Sequence, residues 1–246
     1  MSAVMILVLV LLPIAAPAGG DSWKKAGEKD GVTLYQRDHE GRFVDDFKGV
    51  VMLDVPVENI GAALLDVDAY THWFDRCTKM EVVRTNDPYD LILYLTMSSP
   101  WPARDRDAVI RATCDVDLET DFAHVHIRKD SDLYEPADGS TVRIPHTDQH
   151  WYLETVAPGR VRLTYINDTD PGGDIMGFLV NLVTRMVTHN SLVNLRELVK
   201  DPRYAEAGKA LRADLVRRER ENKALETRQA QGTGKGSDVL AGDRPQ

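Results

Sequence analysis

The sequence predicts an α+β domain in which a curved antiparallel sheet wraps around a long C-terminal helix. Three observations predict it. From Val32 to Thr169 apolar residues mostly alternate with polar ones, and turn residues recur at short intervals. Two short helical stretches interrupt the early strands. One long apolar helical pattern follows the last strand, beyond Pro171-Gly172-Gly173. Short strands joined by hairpins favour antiparallel pairing, and a sheet and a helix that are each apolar on one face bury both by packing together.

The elements follow in order. Val32 to Tyr35 reads as a strand after the turn Asp30-Gly31. Phe43 to Leu53 reads as a long strand with Phe43, Phe47, Val51 and Leu53 on one face. Pro56 suits a first helical turn, and Val57, Ile60, Leu64 and Leu65 form a helical stripe. A second short helix spans Ala69 to Phe74. Lys79–Thr85 and Leu91–Met97 flank the turn at residues 86–90. The loop Ser98 to Arg106 leads to a strand over Asp107–Asp117, and Phe122–Arg128 is the next. Residues 130–141 read as a loop. Gln149–Val156 and Arg160–Thr169 form a hairpin around Pro158-Gly159. Asp174 is the expected cap of a helix running to about Val199, with Ile175, Leu179, Leu182, Met186 and Val193 at helical spacing. Residues 203–229 are charged and helix-prone, and the remainder has the composition of a disordered end.

Composition narrows the function. The chain has 246 residues, of which 43% are hydrophobic and 28% charged, so one large domain with tails is affordable. A net charge of -9 argues against nucleic acid as a partner, because phosphate binding needs clustered Lys and Arg. Two cysteines supply neither a zinc cluster nor a multi-disulfide scaffold.

The N-terminus carries an export signal. Val4 to Leu12 is an unbroken apolar run, and Ala16-x-Ala18 offers the small residues of a cleavage site. The run is shorter than the roughly 20 residues that span a bilayer. An uncleaved anchor is the alternative. The resulting division is 1–18 signal peptide, 19–200 globular domain, and 201–246 a charged helical, then disordered tail. A periplasmic or secreted location follows from it.

Motifs for chemistry are sparse. His124-x-His126 places two imidazoles on one strand face, but Ala123, Val125 and Ile127 make the better core face. The histidines therefore turn to solvent, and neither a metal nor another cofactor is expected. No Gly-x-Ser-x-Gly, His-Glu-x-x-His or phosphate-binding glycine loop occurs. Asp105-Arg106-Asp107 reads as an arginine clamping loop carbonyls or a carboxylate, with an acid–base group as the alternative. Trp101, between two prolines, is either a packed loop anchor or a gate over a cavity.

Taken together, Trp23 with Asp30 to Tyr35, Val55-Pro56, Asp66, Trp73-Phe74, Pro100-Trp101-Pro102 with Asp105-Arg106-Asp107-x-Val109, and Gly172 to Ile175 with Asn181 resemble the START (steroidogenic acute regulatory protein-related lipid transfer) domain family, of the helix-grip superfamily. The matching residues run from Trp23 to Val199. The resemblance implies an N-terminal helix, a nine-stranded curved sheet, and a C-terminal helix closing an apolar cavity that holds a lipid, often a sterol or phospholipid. Sterol-binding members carry an acidic residue and an arginine in the cavity. The corresponding positions here are about Leu93 and Ala112, both apolar, while Arg111 points to the opposite face.

Given such a cavity, alternation and the resemblance together nominate its wall: Leu93, Leu95, Met97, Trp101, Arg106, Ile110, Ala112, Trp151, Leu153, Tyr165, Asn167, Met176, Leu179, Val183, Met186 and Val187. Tyr165 and Asn167 are the candidate polar end. The expected function is lipid binding and transfer by a monomeric, non-enzymatic exported protein in transient contact with a membrane, its transport partner unspecified. A cyclase-like enzyme on the same fold is the alternative. Cys77 and Cys114 are expected to be unbridged, because residue i faces roughly 177 minus i across the first hairpin and 204 minus i across the second. That register sets Cys77 beside Pro100 and Arg104.

Overall fold

Strand β1 (Lys24–Lys29) opens the computed structural model, which describes residues 22–38, 43–130, 140–173 and 175–234. It is followed by β2 (Val32–Arg37), β3 (Asp46–Leu53), α1 (Val57–Leu65), a 3-10 turn (Val67–Ala69) and α2 (Tyr70–Trp73). Then come β4 (Cys77–Asp87), β5 (Asp90–Met97), β6 (Arg106–Asp117), β7 (Phe122–Lys129), β8 (Val142–Arg143), β9 (His146–Ala157) and β10 (Arg160–Asp170). Helices α3 (Gly177–Leu198) and α4 (Pro202–Gly234) close the chain. Nine strands form one antiparallel sheet in the order β1-β2-β3-β10-β9-β7-β6-β5-β4, and the two-residue β8 pairs parallel to β6. The predicted curved sheet with a long C-terminal helix, the helix-grip arrangement, is what the chain forms.

Helix α3 lies over β2 and β3. A Cβ on Gly49 would collide with Leu192, so glycine is what lets the helix settle onto the sheet there. Val187, Thr188, Ser191, Leu192 and Leu195 are buried in this half of α3. In the first turns the same helix leaves Phe178 and Leu182 exposed. The helix is thus seated on the sheet at one end and open at the other, which leaves room for a cavity.

Several boundaries differ from the sequence reading. Strand β1 has the sequence KKAGEK, which no apolar alternation marks; as an edge strand it needs only backbone pairing with β2. Phe43 lies outside β3 and is 91% exposed, with its backbone against Gly177 at the start of α3. The segment after Pro202 begins as part of the fold. Tyr204 is buried and donates to Asp66 Oδ2 at 2.9 Å, Gly208 abuts Asn59, Leu211 meets Gly61, and Arg212 pairs with Asp121. Helix α4 extends to Gly234, beyond the predicted end at Gln229. Helix α3 starts at Gly177 with Met176 at its N-cap, two residues past the expected cap Asp174. The expected signal peptide, N-terminal helix, most of the 130–141 loop and the end of the tail lie outside the described residues.

Both cysteines are free. Three irregularities in β4 slip its register, so Cys77 sits opposite Met97 rather than beside Pro100, while Cys114 lies next to Tyr89 at the other end of β5. The second hairpin pairs Leu95 with Ala108, one residue off the predicted register. The seven residue steps from Asp90 to Met97 still hold the sulfurs roughly 23 Å apart at about 3.3 Å per residue, far beyond the reach of a disulfide. Burial pushes both thiols up to about 11. We therefore expect two sulfhydryls in a thiol titration of the unfolded, unreduced protein, and little reaction in the native protein at pH 7, where almost no thiolate is present. Finding no free thiol after unfolding would refute the strand register.

Candidate functional site

The space between α3 and the inner face of the sheet is a cavity of about 460 Å³, a size that suits a small or medium ligand. Its floor is the inner rows of β5, β6, β7, β9 and β10. Its walls are Tyr70, Phe74, Arg76 and Met80 on one side and the first turns of α3 on the other, with the loop Ser98–Ala103 at the mouth. A smaller chamber of about 90 Å³ adjoins it under α1 and α4, where Leu211 and Leu215 complete the lining. Tyr70, Met80, Ile110 and Ile127 border both spaces and form the partition between them.

Eleven of the nominated residues line the larger cavity: Leu95, Met97, Trp101, Arg106, Ile110, Trp151, Asn167, Met176, Leu179, Val183 and Val187. Leu93, Ala112 and Leu153 share the predicted face but lie farther along their strands, in the smaller chamber. Tyr165 is fully buried behind the wall, stacked on Trp151 with ring centroids 3.9 Å apart. Met186 lines neither space and is partly exposed, because it lies on the solvent side of α3. Trp101 is 92% exposed, so it is not a packed loop anchor; it stands at the rim.

The polar end is larger than predicted. Tyr165 donates to Gln149 Oε1 at 3.0 Å, and Gln149 Nε2 donates to Thr147 Oγ1 at 3.0 Å. The Thr147 and Thr169 hydroxyls are 2.8 Å apart, and Thr169 donates to Asn167 Oδ1 at 2.7 Å. This ladder joins paired positions of β9 and β10, Gln149 opposite Asn167 and Thr147 opposite Thr169. The alternation of the two strands contained it, since all five residues sit on the inner face. Trp151 leaves its buried indole N–H without a hydrogen-bond partner among the described residues.

Two arginines line the larger cavity, and no Asp, Glu, His, Lys or Cys does among the described residues. Arg106 is a structural clamp. It donates to Arg104 O and Ser99 Oγ in the mouth loop, and to Pro171 O and Gly172 O at 3.4 and 3.0 Å before α3. Asp105 accepts from Ser99 N at 2.9 Å, and Asp107 holds Arg143 through two bonds of 2.9 and 3.1 Å. The three alternating charges are therefore committed to holding loops. Arg76 is different. Its buried Nε has no partner among the described residues, and its backbone carbonyl accepts from Ser98 N at 2.8 Å, beside the mouth. Arg111 faces outward and pairs with Asp90 at 2.5 Å, as its place in the alternation predicts. Burial raises the phenol of Tyr70, on this wall, and that of Tyr165, behind it, above the usual tyrosine range.

A sheet gripping a long helix over a largely apolar cavity defines the helix-grip fold. The START domain family model matches residues 15–203, and the chain belongs to that family. An uncharacterized protein of Pseudomonas aeruginosa is 28% identical over 191 residues, covering 78% of this chain and 93% of that one. The crystal structure of a STAR-related lipid transfer protein from Xanthomonas axonopodis superimposes with a TM-score of 0.67 at 27% identity, covering 74% of this chain and 100% of that one. Human STARD10 shares the fold, with a TM-score of 0.66 at 17% identity over 75% of this chain and 76% of that one.

Proposed function

We propose that this protein binds a lipid with an anionic headgroup in the cavity beneath α3 and carries it between membranes, without chemistry. The observation that carries this reading is the cavity wall: apolar over most of its area, with two arginines, the buried Nε of one of them without a partner, and no carboxylate, among the described residues. An acyl chain gains roughly 0.8 kcal/mol per CH₂ on leaving water. A phosphate or carboxylate at the mouth would engage Arg76 by a charge-assisted bond. Membership of the START family and the likeness to a lipid transfer protein from Xanthomonas axonopodis support lipid as the ligand.

Transfer requires contact with a bilayer. Phe43, Trp101, Met176, Phe178, Leu179 and Leu182 are all exposed. Trp101, Met176 and Leu179 also line the cavity, and Phe43 touches the start of α3, so this apolar rim is continuous with the binding space. Such a rim can enter the headgroup layer and let the ligand pass without crossing water. No helix among the described residues is long and apolar enough to cross a membrane. The apolar run Val4–Leu12 and Ala16-x-Ala18 support export, cleavage near Ala18 and a periplasmic or secreted location.

The test is extraction of lipid from liposomes of defined composition, with native mass spectrometry of the complex. Anionic phospholipid should be taken up in preference to sterol, and Arg76→Gln should reduce its uptake at least about tenfold, as expected for loss of a charged hydrogen bond of about 1.5–3 kcal/mol. Equal uptake of phospholipid by the wild type and Arg76→Gln would remove the headgroup assignment; no lipid uptake by either would remove the function.

A further inference from the structure

The outer face of the sheet carries a second constellation, on the side away from the cavity. In β7 and β9, His126 is paired directly with His150, with His124 and Asp148 as the neighbours on that face. The three imidazole rings lie nearly parallel, His126 and His150 with centroids 4.5 Å apart and 11° between planes, and His124 and His150 at 5.2 Å and 14°. Asp148 Oδ1 is 2.5 Å from His126 Nε2 and 3.5 Å from His150 Nε2. One ligand atom each from His126, Asp148 and His150 lies within 4.8 Å of the others.

The geometry points to a zinc-type metal site formed by His126, Asp148 and His150. Tetrahedral coordination with bonds of about 2.0–2.1 Å sets ligand atoms roughly 3.3 Å apart. The present separations bracket that value, and small side-chain rotations reach it. Two imidazoles and one carboxylate leave a fourth position open to water, and this donor set suits borderline divalent ions such as Zn(II). The support for the ligands is already present. His150 Nδ1 is 2.9 Å from His124 Nε2, so with Nε2 on a metal the Nδ1–H donates to His124 and fixes the ring, the role outer partners play in metal sites. Both ligand strands are interior to the sheet, so little ordering is needed on binding. This inference does not rest on the lipid reading, because these side chains are on the opposite face from the cavity.

The experiment is titration of tag-free, chelator-treated protein with Zn(II) against a chromophoric competitor, and with Co(II) followed by its visible spectrum. The wild type should take up one ion per chain and give a tetrahedral or five-coordinate cobalt spectrum. His150→Ala should lose that binding, and His124→Ala should weaken it roughly tenfold or more. These side chains are on the outer surface, so the variants should keep the wild-type melting curve. If His150→Ala melts early, His126→Gln reads the loss of a ligand from the neighbouring strand. Absence of stoichiometric binding in the wild type, or unchanged affinity in both His150→Ala and His126→Gln, overturns the site. Unchanged affinity in His124→Ala overturns its supporting role.

Discussion

Leu163→Asp is expected to leave the domain unfolded at neutral pH. Leu163 is fully buried on β10, paired with Val51 of β3 and Leu153 of β9 across the middle of the sheet. Removing its side chain forfeits about 3–5 kcal/mol of packing. The new carboxylate adds several kcal/mol more, because the surrounding core cluster is apolar. The sum is comparable to the whole stability of a domain, about 5–15 kcal/mol. Far-UV circular dichroism and a thermal melt decide it; a cooperative transition within a few degrees of the wild type would contradict this account of the core.

Trp101→Ala and Met176→Asp should do the reverse, cutting lipid uptake roughly tenfold or more while leaving the melt nearly unchanged. Trp101 is 92% exposed and Met176 62% exposed, so neither contributes much to folding, and exposed substitutions usually change stability by less than about 0.5 kcal/mol. Both border the cavity at its mouth. Losing the indole removes apolar area from the membrane-facing rim, and a carboxylate at 176 makes entry of that rim into the headgroup layer unfavourable. Liposome extraction beside thermal melts separates the cases. Normal uptake by both variants, or melts as damaged as that of Leu163→Asp, would make these residues packing elements and move the gate elsewhere.

The inner and outer faces were legible because a strand has a period of two. Ala123, Val125 and Ile127 turn in and His124 and His126 turn out, as the alternation predicts. Position along a strand was not legible in the same way. Leu93 and Leu95 share a face, yet only Leu95 reaches the larger cavity, because that depends on where Tyr70 and Met80 cross the sheet. The slips in β4 arise from extra residues that no local pattern announces. Helix α4 looked like a solvated tail because only Tyr204, Leu211 and Leu215 are apolar at useful spacing; its docking rests on Gly61 and Gly208, which permit close approach, and on ion pairs to distant turns. The polar ladder from Tyr165 to Asn167 needed the β9–β10 pairing to bring five hydrogen-bonding side chains together.

Arg106 acts as a fastener between the two lips of the mouth. It belongs to β6, so it moves with the Ser98–Asp105 loop that its strand anchors, and half of its grip is on Pro171 and Gly172. Gly172 and Gly173 both hold positive φ, at 65° and 78°, where the chain turns from β10 toward α3. The bonds to the Arg104 carbonyl and the Ser99 hydroxyl stay within the segment of the loop and β6, so parting the lips breaks the bonds to Pro171 and Gly172. At a cost on the order of 3 kcal/mol for those bonds, the helix side would be free in somewhat less than about one molecule in a hundred. The start of α3 is thus tethered at rest, with a threshold that a bilayer taking up its exposed rim can offset.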